Sequence, residues 1–169
     1  EGVVDMEELE AAIDAASVGP HSGVGVLACH HPFLAPPEAP LRIETRNGER
    51  ASERMAASRV GILLSGHVHT PSAVVWRHGE DAYLSVTSGT LSQRLRRHPP
   101  SFNYLDVDAD RVSVTACVFE DGAFRDDPLG VWSTASWEPL PAEAPAPDRR
   151  ARRARGVPSA WGGLFVAQR

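Results

Sequence analysis

Four of the seven histidines in this chain stand where side chains can do chemistry: His30 and His31 in Cys29-His30-His31-Pro32, and His67 and His69 in Gly66-His67-Val68-His69. Each group follows an apolar run, Val24 to Cys29 and Val60 to Ser65, that suits a strand covered on both faces. In an α/β sheet, ligands collect at the carboxyl ends of the strands, where turns expose side chains above a rigid platform. His30 and the pair His67/His69 meet there if the two strands are near neighbours. An HxH pair at strand-like spacing points both imidazoles to one side, and Gly66 lets the backbone turn without a Cβ clash. Neutral imidazole is a borderline ligand suited to Zn, Fe, Ni or Mn. The chemistry to expect is metal binding, and three imidazoles with an open position can activate water.

The elements that must position these residues alternate between helix and strand. Asp5 can cap a helix over about residues 5 to 16, with Met6, Leu9, Ile13 and Ala16 on one face. Phe33 to Gly48 carries three prolines and reads as a loop, and Glu49 to Arg59 reads as a second helix. Beyond Pro71 the pattern changes to hairpins. Ala73 to Trp76 and Tyr83 to Thr87 flank a turn at His78 to Asp81, and Phe102 to Val107 and Arg111 to Phe119 flank Asp108 to Asp110, with another turn at Glu120-Asp121-Gly122. The expected fold class is α/β with a β-meander toward the C-terminus. From Glu138 onward the Pro/Ala-rich and then Arg-rich sequence has no core periodicity, so residues 138–169 read as a disordered tail and residues 1–137 as the folded part. Trp161-Gly-Gly-Leu-Phe-Val stands out in that tail as able to dock.

Composition narrows the class. At 169 residues, 42% hydrophobic and 23% charged, the chain fits about one globular domain. No run approaches the roughly 18 to 20 apolar residues that cross a bilayer, and Glu1 to Glu8 lacks a signal-peptide pattern; a cytoplasmic location is expected. The net charge of −5 divides into +3 for residues 138–169 and −8 for the rest, so the body is not a nucleic-acid clamp. All 17 basic residues are Arg. Cys29 and Cys117 sit far apart in apolar runs and read as buried thiols.

Cys29-His30-His31-Pro32 followed by Gly66-His67-Val68-His69 resembles the last two signature motifs of the calcineurin-like metallophosphoesterases. Thr87-Ser-Gly-Thr-Leu-Ser-Gln-Arg94 and Ser101 to Asp108 look like the region that follows GHxH in members akin to cyclic-nucleotide phosphodiesterases. The resemblance spans about residues 5 to 125. It implies a four-layer α/β/β/α sandwich and a hydrolase with two divalent metal ions, Mn, Fe or Zn. His30 and His67 would bind one ion and His69 the other. His31 would touch substrate, donate a proton or orient His30, and Arg94, with Ser88, Gly89 and Thr90, would help hold the phosphate of a phosphoester or nucleotide substrate. Complete members carry D-x-H, G-D-x-x-D and G-N-H-[DE] motifs ahead of HHP. None is present, so the chain reads as the C-terminal portion of a domain whose N-terminal half supplies the carboxylates. Such a half-sandwich is expected to expose the apolar face of its sheet. Two other readings compete: a mononuclear three-histidine enzyme, and a truncated half-domain that only binds a partner.

Overall fold

The computed structural model describes residues 2–17, 23–39, 44–92 and 98–141. Arg94 and the segment Trp161 to Val166 lie outside the described residues. The elements run β1 (Gly2–Val3), α1 (Met6–Ser17), β2 (Gly25–Ala28), β3 (Thr45–Arg46), α2 (Gly48–Ala56), β4 (Val60–Ser65), β5 (Ser72–His78), β6 (Asp81–Thr87), β7 (Ser101–Val107), β8 (Arg111–Glu120) and β9 (Ala123–Ser133).

Helix α1 begins where its cap dictates. The Asp5 carboxylate accepts the Glu7 and Glu8 backbone N–H groups at 2.9 and 3.2 Å, satisfying donors that have no partner within the helix. Its buried face is Leu9, Ala12 and Ile13, with Met6 packed at the edge; Ala16 is exposed. Arg54 of α2 holds Glu10 of α1 at 2.7 Å, a partly exposed pair that fixes the register of the two helices more than their stability.

The central sheet has the order β2-β4-β6-β5. β2, β4 and β6 are parallel, and β5 runs antiparallel along β6, joined by a two-residue loop with Gly79 at φ 66, as a hairpin twisting with its strands requires. One face of this sheet packs on the helices through Leu27, Leu63 and Tyr83 against Leu9, Ile13, Ala51 and Met55. The other face, with Ile62, Leu84 and Val86, packs on Val112, Val114 and Trp132 of a second antiparallel sheet, β7-β8-β9. The fold is therefore mixed α/β. The described residues form three layers, helices on sheet on sheet.

The central sheet is covered on both faces, by the helices on one and by the second sheet on the other, so it does not present the bare apolar face expected of a half-sandwich. The chain also continues to pair past Trp137. Leu140 N–H donates to the Val131 carbonyl at 2.8 Å and Trp132 bridges Pro139, while Trp137 is buried in the core between the sheets. No helix among the described residues is long and apolar enough to cross a membrane.

Candidate metal centre

Parallel pairing of β2 with β4, Ala28 opposite Leu64, brings the ends of the two histidine-bearing strands side by side. Two backbone hydrogen bonds then carry the pairing into the loops. Cys29 N–H donates to the Leu64 carbonyl at 2.9 Å, and Gly66 N–H to the His30 carbonyl at 3.1 Å. The ligand-bearing segments are thus tied main chain to main chain before any side chain is considered.

At this junction His30, His31 and His67 converge, with one ring nitrogen from each lying within 4.8 Å of the others. His67 Nδ1 is 3.2 Å from His30 Nε2. Two nitrogens on one tetrahedral zinc, each at 2.0 to 2.1 Å, stand roughly 3.3 Å apart, so this pair is already at ligand spacing. Either nitrogen of this pair can be donor or acceptor, depending on the tautomer, and both would have to offer lone pairs to bind a cation. The His31 ring lies against the other two, 4.7 Å from His30 and 4.1 Å from His67 between centroids. Burial, then the neighbouring charge of His30, holds the His31 pKa below the usual imidazole range, which favours the neutral, ligating form. Gly2 packs on this ring so closely that a Cβ there would lie 2.7 Å from it.

The local backbone explains the placement of His67 and corrects an expectation. β4 ends at Ser65, and His67 and His69 sit in the following loop at φ 63 and φ 60, not in an extended strand. Val68 N–H donates to the Gly66 carbonyl at 2.7 Å, closing a γ-turn around His67 of the rare positive-φ kind. Strain of this type persists where the surroundings over-determine it and gathers at functional sites. Here the anchor is Val68, which is 1% exposed. Among the described residues it is His31, not His69, that completes the group of three.

His69 is partly buried, and its Nδ1 atom is buried with no hydrogen-bond partner among the described residues. An orphaned imidazole nitrogen costs free energy unless something accepts or donates to it, and a cation is one such partner. Beneath the loop lies a polar row that sequence reading did not single out. Ser65, Thr87 and Ser72 stand in register across β4, β6 and β5, all buried, with Ser72 donating to Thr87 at 3.0 Å and the Asn103 amide to the Thr87 carbonyl at 2.8 Å. Hydroxyl side chains at the ends of three otherwise apolar strands are the signal that could have marked it. Among the described residues no Asp or Glu joins the histidine group. Cys29 is not a ligand in waiting: its thiol donates to the His31 carbonyl at 2.9 Å, and burial pushes its pKa up to about 12. The donor set present, neutral imidazoles and an orphaned imidazole nitrogen, fits a borderline divalent cation.

No protein-family model matches the sequence, and no curated protein matches it. Among solved structures the chain is similar to Vacuolar Protein Sorting 29 from Cryptosporidium parvum, at 21% identity over 52% of this chain and 44% of that one, with a TM-score of 0.37. It is also similar to Vps29 from Entamoeba histolytica. A double mutant of that protein aligns at 19% identity over 47% of this chain and 45% of that one with a TM-score of 0.35. The wild type complexed with zinc aligns at 18% identity over 53% and 47% with a TM-score of 0.35. The matched region spans less than half the length of each of these structures.

Proposed function

We propose that this chain carries part of the metal centre of a cytoplasmic, metal-dependent phosphoesterase acting on phosphodiesters or nucleotides. Residues 1–137 form the C-terminal portion of the domain, and an N-terminal half supplies the carboxylates. The observation that supports this reading is the convergence of His30, His31 and His67 at the carboxyl ends of β2 and β4. The free thiols of Cys29 and Cys117 agree with a reducing compartment.

In this reading His30 and His67 hold one divalent ion, His69 offers its orphaned nitrogen to a second, and Arg94 helps hold the phosphate. The chemistry such ions supply when bound is Lewis-acid polarisation of a phosphoryl oxygen and acidification of water. What the chain itself does is positional. The Gly66 to His30 hydrogen bond fixes the separation of the two ligand segments, the γ-turn aims His67, and buried Val68 keeps the loop from relaxing. In the same reading His31, beside His67 but on the other strand end, touches substrate, donates a proton or orients His30.

A second reading, a binding module without turnover, is favoured by the absence of any carboxylate from the histidine group among the described residues. Calorimetric titration with Zn and Mn, paired with hydrolysis of bis(p-nitrophenyl) phosphate, separates the two. Metal binding that is lost in His67→Ala together with turnover supports the phosphoesterase. Metal binding with no turnover, in a chain completed at its N-terminus, supports the binding module. No metal binding at micromolar concentration refutes both metal roles.

A further inference from the structure

The outer face of the β7-β8-β9 sheet carries a feature that the metal centre does not use. Phe102, Phe119 and Phe124 are 37%, 39% and 50% exposed, and their rings touch, Phe124 lying 5.3 Å from Phe102 and 5.1 Å from Phe119. Single exposed apolar residues need no explanation, but three in contact on one face mark a surface that something covers. The same face carries carboxylates, and the sheet as a whole is acidic. Tyr104 O–H donates to Asp126 at 3.1 Å, and Asp106 follows Tyr104 on the same side of β7. From Ser101 to Ser133 there are seven acidic residues and two arginines, a net −5.

The chain contains a segment of complementary chemistry. Residues 142–169 hold six arginines against Glu143 and Asp148, a net +4. Five of the arginines fall between Arg149 and Arg155, and Trp161-Gly-Gly-Leu-Phe-Val follows six residues later. We propose that the segment Arg149 to Val166 docks on the outer face of this sheet. Its arginines meet the carboxylates of the sheet, Asp126 among them, and Trp161, Leu164 and Phe165 cover the three phenylalanines. Guanidinium groups also stack favourably on aromatic faces.

Reach permits it. The last described residues are anchored beside Val131, and Phe124 is seven residues back along β9, roughly 23 Å away at 3.3 Å per residue. Twenty residues separate Pro141 from Trp161, and a flexible linker of that length would have an end-to-end distance of about 25 Å. Linker and span match, the condition under which a tethered segment sees a millimolar effective concentration and weak contacts suffice.

The test uses the full chain with a photo-crosslinking phenylalanine analogue in place of Trp161, irradiated at low micromolar concentration. Crosslinks in the monomer mapping to peptides containing Phe102, Phe119 or Phe124 are expected. Their yield should fall at least fivefold in Phe119→Ser/Phe124→Ser and at least threefold at 0.5 M salt. Replacing the five arginines from Arg149 to Arg155 with serine leaves the described core untouched and should lower the yield by a similar factor. Crosslinks elsewhere on the monomer, crosslinks only between two copies, or a yield indifferent to the arginines would each overturn the proposal.

Discussion

His67 is an L-residue held at φ 63 in the centre of a γ-turn, a rare conformation that crowds its Cβ at a cost of roughly 1 to 3 kcal/mol. Glycine escapes that crowding but loses about 0.5 to 1 kcal/mol more backbone entropy on folding. Replacing His67 by glycine should therefore leave a metal-free protein about 1 kcal/mol more stable than replacing it by alanine, although both variants lose the same imidazole. The control is Glu53, exposed in the middle of α2, where the order reverses and glycine falls about 1 kcal/mol below alanine. Urea unfolding of the four variants in EDTA, with unchanged denaturant slopes, measures both differences. Added zinc should stabilise the wild type by about 2.7 kcal/mol at a hundred times its dissociation constant and neither His67 variant. If alanine equals or exceeds glycine at position 67, the γ-turn does not exist in solution and the argument that His67 is held under strain fails.

Three further outcomes follow from the geometry. A methyl group on Gly89 would collide with Ser101 Oγ and stand 2.9 Å from its carbonyl, so Gly89→Ala should cost roughly 1 to 3 kcal/mol, and Ser101→Ala in the same chain should recover part of it in a double-mutant cycle. Burial pushes the Tyr83 phenol well above its usual range, its Ser52 hydrogen bond offsetting only part of this. That stability is fully present below the unfolded phenol pKa of about 10 and is lost as pH rises further, so the wild type should weaken more steeply than Tyr83→Phe above about pH 10 in urea titrations. Cys29, with its pKa at about 12, holds roughly one part in ten thousand as thiolate at pH 8. A disulfide reagent at that pH should leave Cys29 unlabelled until denaturant unfolds the chain.

What could be read from the sequence was what local chemistry decides. Asp5 with Glu8 placed the first helix to within a residue, and alternation with turn residues placed the β5-β6 and β7-β8 hairpins. The apolar runs ahead of His30 and His67 placed β2 and β4, whereas their parallel pairing was a condition left open by the sequence and met in the structure. The failures lie where tertiary context overrides the local pattern. β9 was not anticipated, because Phe124 to Pro128 mixes charge, aromatic and proline and becomes a strand only by pairing with β8. The HxH spacing suggested two rings on one side of a strand, but a period-2 argument holds only for extended backbone, and positive φ at both histidines cancels it. His31 entered the cluster because β2 ends at Ala28, so the residues after it already follow a turning chain.

The strand order of the central sheet also constrains when the histidine loop can take its shape. β6 lies between β4 and β5, so the chain leaving β4 through His67 and His69 must leave a strand-wide gap that only a later piece of sequence fills. The β5-β6 hairpin is local and closes fast, whereas its parallel docking on β4 awaits a longer search. Only when that docking occurs does Ser88 N–H reach the Ser65 carbonyl at 2.8 Å and brace the residue from which the loop departs. The loop that carries His67 and His69 is consequently braced at Ser65 only after β6 inserts, and the time course of zinc capture during refolding would show whether the histidine group needs that brace.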